Sequence, residues 1–167
     1  MPNSKLFSEF LSINGEDNTH SITNANATLT TFSIAPAAGK VLELNRILIT
    51  VQDSGVIDAT DYGAIAGGLT NGMTLSVHDA DGLKYLLTDS HKPIKTNVDW
   101  GAYCYDVEDK SWGTGDNFLV ARWTFAKSGK PVYLRGDRSE RLVLETADTM
   151  SALVEHLVLA QGYYITP

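Results

Sequence analysis

The chain is expected to fold as a mainly all-β protein, a jelly-roll-like antiparallel β-sandwich, and three observations predict it. Residues 118–146 read FLVARWTF, VYLR and ERLVLET in three runs. Within each run apolar and polar side chains alternate, the period of a half-buried strand. The connectors at 127–131 and 136–139 are of hairpin length and contain Gly129, Pro131, Gly136 and Asp137, which predicts antiparallel neighbours. Similar runs recur along the chain, about eight or nine of them with turn residues between, a pattern that suits a jelly roll or a related sandwich. A sheet with one apolar face needs a second layer to cover it.

In the first of these runs Leu119, Ala121, Trp123 and Phe125 share one face, and Arg122 and Thr124 lie on the other. Val132 and Leu134 are expected inward with Tyr133 and Arg135 outward. Leu142 and Leu144 are expected inward with Arg141, Val143 and Glu145 outward. Together the runs predict a three-stranded meander.

From the start of the chain, residues 1–26 are rich in Ser, Asn and Thr. Leu6, Phe7, Phe10, Leu11 and Ile13 are their large apolar groups. This composition predicts an N-terminal arm that either docks on a neighbour or frays. The single sandwich domain is expected to occupy 27–167. Residues 27–35 (ATLTTFSIA) form a strand with Phe32 and Ile34 on one face. Residues 41–53 (VLELNRILITVQD) form the longest β run. Leu42 and Leu44 share one phase and Ile47, Ile49 and Val51 the opposite one, so a bulge near Asn45-Arg46 is needed to keep one core face.

Residues 54–72 are glycine-rich, with a short helical excursion expected near 58–68. MTLSVHD at 73–79 and the run at 83–88 form a hairpin about Asp81-Gly82. A polar loop follows at 89–99, then an aromatic strand at 100–107 (WGAYCYDV) and an acidic, glycine-rich loop at 108–117 around Trp112. Residues 151–165 fit a helix period through Leu153, His156, Leu157 and Ala160. They also fit period two through Leu153, Glu155, Leu157 and Leu159. Gly162, Tyr163, Tyr164 and Ile165 favour a strand, which is the expectation.

The 167 residues suit one domain, and 43% hydrophobic content is enough for a core. A net charge of −7 argues against a nucleic-acid surface. The single cysteine, Cys104, allows no internal disulfide. The opening MPNSKLFSEFLS has no secretory apolar core, and no apolar run is long enough to span a membrane. Folding in a reducing cytoplasm is therefore expected.

No catalytic set emerges. His20, His78, His91 and His156 are scattered, without the HxH pair and third ligand that a metal needs. No cofactor is expected. Asp79-Ala80-Asp81-Gly82 resembles half a calcium loop, but lacks the later carboxylate, and a hairpin turn explains it. Asp99, Asp106, Glu108, Asp109 and Asp116 supply carboxylates for a glycosidase pair only if they face each other across a cleft. There is no GxSxG elbow, and Cys104 sits among aromatics as an inert thiol. Arg135-Gly136-Asp137 spells RGD, which is also ordinary turn chemistry. The Asn26-Ala27-Thr28 sequon has no signal to deliver it to glycosylation. Aromatics are better candidates for contact. Trp100 and Tyr103 suit the core, whereas Trp112 suits an exposed anchor.

The segments ELNRILITVQD, DYGAIAGGLTNGMTLSV, KTNVDWGAYCYDV, WGTGDNFLVARWTF and RLVLET, taken in order over about residues 40–146, resemble small structural proteins of tailed bacteriophages. These are the β-sandwich capsid decoration (cement) and head-associated proteins. The resemblance implies a non-enzymatic virion component, made in the host cytoplasm, that binds the major capsid protein or other virion proteins. It implies a homo-oligomer, dimer or trimer, with no nucleic-acid or membrane partner. Many weak contacts then add up by avidity. The expected partner-binding residues are Leu6, Phe7, Phe10 and Leu11 of the arm, Trp112, and Arg135 and Arg138. A receptor- or carbohydrate-binding module of a fibre or tail tip, using Trp112, is the alternative. A small hydrolase ranks last.

Overall fold

The computed structural model describes residues 4–14, 29–53, 62, 65, 67–91, 102–108, 117–125, 131–153 and 155–165; at 53, 90–91, 102–108 and 117–120 it describes the backbone alone. Eleven strands lie in these residues. They are β1 (Ser4–Phe10), β2 (Ser12–Ile13), β3 (Thr30–Ile34), β4 (Val41–Asp53), β5 (Met73–Asp79), β6 (Gly82–His91), β7 (Ala102–Glu108), β8 (Asn117–Thr124), β9 (Val132–Arg135), β10 (Arg141–Thr146) and β11 (Glu155–Ile165).

One sheet runs β1-β11-β4-β8-β7, with β9 also paired to β4; the other runs β2-β3-β10-β5-β6. All pairings are antiparallel. The orders β1-β11-β4-β8 and β3-β10-β5-β6, between which the chain alternates except at the β5–β6 hairpin, are those of a jelly roll, with β2, β7 and β9 as additions. The expected all-β sandwich is therefore the fold. Leu42, Ile47, Ile49 and Trp123 of the first sheet share one core with Phe32, Leu75, Leu142 and Leu144 of the second. Each buried aliphatic contributes about 1.5–3 kcal/mol by leaving water, so the apolar inner faces hold the layers together.

The bulge expected near Asn45-Arg46 is present. Gln161 pairs with Arg46, and the next residue, Gly162, pairs with Leu44, so Asn45 is the extra residue on β4. The insertion shifts the phase by one and turns Leu42, Leu44, Ile47, Ile49 and Val51 all to the core. At the same point β4 changes partner on its other side, from β9 to β8. Gly162 is required here. A Cβ on it would lie 1.9 Å from the Glu43 carbonyl oxygen.

Four expectations are corrected. The runs at 118–146 are strands with the expected core residues Ala121, Trp123, Phe125, Val132, Leu134, Leu142 and Leu144, but they are not a meander. β8 and β9 lie in the first sheet and β10 in the second. The turn between β9 and β10, one 3-10 turn at Gly136–Arg138, carries the chain across the sandwich. A hairpin-length connector can make that arch as well as a hairpin. Gly136 suits it, because a Cβ there would meet the Ala37 carbonyl oxygen at 2.0 Å. Val143, central in β10 between β3 and β5, is buried where exposure was expected.

The arm expected over 1–26 is in part a structural element. β1 pairs with β11 over seven residues, and β2 pairs with β3 in the opposite sheet. Phe7, Leu11 and Ile13 enter the core, so this segment staples the two sheets at one corner. Residues 15–28 lie outside the described residues. The C-terminal run is a strand, as expected, but its core phase is the other one. His156, Val158, Ala160 and Gly162 face inward, and Leu157 and Leu159 face outward. The helical excursion near 58–68 falls mostly outside the described residues; Tyr62, Gly67 and Gly68 have positive φ, which interrupts a right-handed helix there.

Candidate functional site

Among the described residues, exposed large apolar side chains occur on β6 of the second sheet (Leu83, Tyr85 and Leu86) and on the outer face of the first sheet, where they surround a cleft. Alternation away from buried Phe7, Ala160 and Gly162 puts Leu6, Ser8 and Phe10 of β1 outward with Leu157, Leu159, Gln161 and Tyr163 of β11. The strand register aligns them in rows. Phe10, Leu159 and Leu48 form an apolar row across β1, β11 and β4, and Arg122 of β8 ends it. Ser8, Gln161, Arg46 and Thr124 form the next row, and Leu6, Tyr163, Glu43 and Tyr133 the one beyond. Leu6 is 70% exposed and Phe10 43%.

The Asn45 bulge opens a cleft of about 470 Å³ in this face, between β1, β11 and β4. Leu6 and Tyr163 line one side, and Asn45, Arg46, Gln161 and Ser8 provide its polar groups. These polar groups are already ordered among themselves. The Arg46 Nε–H donates to Gln161 Oε1, and Gln161 Nε2 donates to Ser8 Oγ at 3.1 Å. One hydrogen-bonded chain thus spans three strands. On the inner side of the same corner, Phe7 packs on the Tyr164 ring at 4.9 Å. The Tyr164 hydroxyl donates to Glu9 at 2.8 Å. Burial and that carboxylate push the phenol up to about 12.

The residues expected to bind partners are thus divided. Leu6 and Phe10 lie on the outer face, whereas Phe7 and Leu11 are buried at 8% and 1% exposure and are corrected to core residues. Trp112 lies outside the described residues. Arg135 and Arg138 are exposed, but Arg135 is engaged by Asp137, its Nε and Nη2 donating to the two carboxylate oxygens at 3.2 and 3.0 Å. The pair raises the guanidinium pKa and lowers that of the carboxyl. Within the RGD triplet the Arg135 and Asp137 side chains thus pair with each other at the end of β9.

His78 shares a hydrogen bond with Ser76 Oγ at 3.0 Å, and His156 lies inside the sandwich. Its Nε2 meets the Tyr62 hydroxyl at 2.9 Å, and its ring stacks edge-on to Phe32 and Tyr62. Burial pushes its pKa down to about 4, so the ring is neutral. His20 and the side chain of His91 lie outside the described residues. Among the described residues no group of three His, Cys, Asp or Glu converges. The Asp79 carboxylate accepts the Asp81 N–H at 2.9 Å and closes the β5–β6 turn, the hairpin role expected of that fragment. Of the candidate glycosidase carboxylates, Asp106 and Glu108 lie on β7, and the side chains of all five, like that of Cys104, are outside the described residues.

Two acidic residues that sequence reasoning missed are structural. Asp148 accepts the N–H groups of Thr70, Asn71 and Gly72 at 2.7, 2.9 and 2.9 Å. Buried Glu140 accepts the Arg135 N–H at 2.9 Å and pairs with Lys84. Among the described residues no helix is long and apolar enough to cross a membrane. No family model, curated protein or solved structure matches the chain.

Proposed function

We propose that this chain is a structural protein of a tailed-phage virion, a capsid decoration or head-associated protein that acts by binding and not by catalysis. The observation that carries this reading is the outer face of the β1-β11-β4 sheet, where Phe10, Leu159 and Leu48 form an apolar row. Aliphatic side chains on the outside of a sheet suit contact with a neighbour, which removes them from water. The likeness of segments 40–146 to decoration and head-associated proteins supplies the kind of neighbour, the major capsid protein or another virion protein. The jelly-roll order is compatible, since that architecture serves capsids as well as lectins and enzymes. Repetition on a shell multiplies weak contacts.

In this reading the N-terminal segment docks as a strand of the sandwich and not as a loose tail. β1 contributes Leu6 and Phe10 to the binding face while Phe7 anchors it. The test is purification of particles from cells carrying the gene intact or deleted. The reading predicts the protein in many copies per particle, and particles that lose heat resistance without it. A protein absent from purified particles, and particles indifferent to its deletion, would reject the reading.

A further inference from the structure

We propose that the cleft at the Asn45 bulge is a binding site for an acidic monosaccharide, a pyranose ring carrying one carboxylate. Three features of the cleft point to that class. Its charged lining group is a cation, Arg46, and no carboxylate lines it. The Nε–H of Arg46 is held by Gln161. A guanidinium has four further N–H donors in a planar fork, the geometry that matches a carboxylate. Second, Asn45, Gln161 and Ser8 bring two amides and a hydroxyl to the same cleft, groups that both donate to and accept from sugar hydroxyls. Third, Leu6 and Tyr163 are register partners on β1 and β11, so an aliphatic side chain and an aromatic ring stand together as a wall for the C–H face of a pyranose.

The size agrees. A volume of about 470 Å³ falls within the range of small-molecule sites, roughly 300–1,000 Å³. The site is also built in advance. The bulge supplies the extra residue, Asn45, as bulges do where a strand must re-aim a side chain. The Arg46–Gln161–Ser8 chain fixes the polar groups before any ligand arrives. Gly162 lets β11 approach the Glu43 carbonyl behind the cleft. The proposal stands on the cleft alone. The cleft shares Leu6 with the face assigned to the neighbour, so it takes the sugar on the free chain, and failure of the titration leaves the virion reading untouched.

The experiment is titration of the full chain with sodium glucuronate and N-acetylneuraminate, with glucose and acetate as comparisons, followed by amide chemical shifts. A small, shallow site predicts a Kd on the order of 1 mM. The expected result is saturable shifts at Ser8, Asn45, Arg46, Gln161 and Tyr163 with at least one acidic sugar. Glucose and acetate should each bind about tenfold more weakly or worse. Arg46→Gln should lose about tenfold in affinity for the acidic sugar and leave the weak glucose affinity unchanged. If that variant does not fold, Tyr163→Ser and the shift map of the unmodified chain decide. The proposal is overturned if neither acid saturates, if shifts map elsewhere, if glucose matches the acids, or if acetate alone does.

Discussion

On the outer side of the β3-β10-β5 strands stand Thr31, Ser33, Arg141, Glu145 and Thr74 around Val143 and Ser76, which are buried, with Ser12 of β2 hydrogen-bonded to Ser33 at one edge and β6 exposing Leu83, Tyr85 and Leu86 at the other. On the outer side of the β1-β11-β4 sheet stand Leu6, Phe10, Leu48, Leu157, Leu159 and Tyr163 around Arg46 and Gln161. Both sheets bury the same kind of side chain inward. The difference lies wholly on the faces that do not form the core. A solvent-facing antiparallel sheet is served by hydroxyls and charges, as the first of these faces is. Aliphatic rows on the second bring no folding benefit that polar residues would not match, so they suit a neighbour. The bulge adds a cleft to that same face. Under the proposed function the β1-β11-β4 side is the one that meets the neighbour, and strands β3, β10 and β5 themselves expose no large apolar side chain among the described residues.

The comparison can be broken at its hinge. Gly162→Ala puts a Cβ against the Glu43 backbone and should destabilise the fold by about 3 kcal/mol or more. Gly39→Ala, at a turn with φ +73 and no atom within 4 Å of the added Cβ, should lose only about 1–2 kcal/mol. Urea midpoints of the two variants measure the gap. Equal losses would mean that the β4–β11 approach is slack.

Acid sharpens it at the core that both sheets share. His156 stays neutral when folded down to about pH 4, while in the unfolded chain it titrates near 6.5. The unfolded state therefore binds a proton that the folded state refuses. Stability falls as pH drops from about 6.5 to about 4, by roughly 3 kcal/mol from this group, and falls no further from it below that. Urea unfolding at pH 7, 5 and 4 reads the slope. His156→Leu should flatten it over this window.

Asp148 marks the end of the β3-β10-β5 side, where its carboxylate gathers three backbone N–H groups. Asp148→Ala should lose about 2 kcal/mol, and hydrogen exchange should quicken at Thr70, Asn71 and Gly72 while β11 keeps its protection.

The smallest effect on stability belongs to the faces themselves. Leu48→Gln and Leu159→Gln should change stability by about 1 kcal/mol or less, and Thr31→Gln and Glu145→Gln by about 0.5. Retention on particles should separate the pairs, with the leucine variants released and the other two kept.

Much of the fold was legible. The phase flip between Leu44 and Ile47 forced the bulge, because only an inserted residue brings Leu42 and Ile49 to one face. Asp81-Gly82 gave the β5–β6 hairpin for the local reason that an Asp side chain closes such turns. The meander was not legible, since the length of 136–139 fits both a hairpin and an arch between layers. The phase of β11 misled because its larger aliphatics, Leu157 and Leu159, face out. The core takes His156, whose ring meets Phe32 edge-on, together with Ala160 and with Gly162, which lies against the Glu43 backbone. On the outer face of the first sheet, Leu6 and Phe10 were legible as apolar residues of a sparse segment, and both are exposed. Arg46 and Gln161 were not legible, because they meet Ser8 only through the register of three strands distant in sequence.

The central claim, that the β1-β11-β4 face meets the neighbour, is tested most directly by imaging the intact particle with this protein in place. The account predicts density from the shell against Leu48, Leu159 and Phe10, with Thr31 and Glu145 turned to solvent. A particle in which the β3-β10-β5 face touches the shell and Leu48 and Leu159 face open water would contradict it.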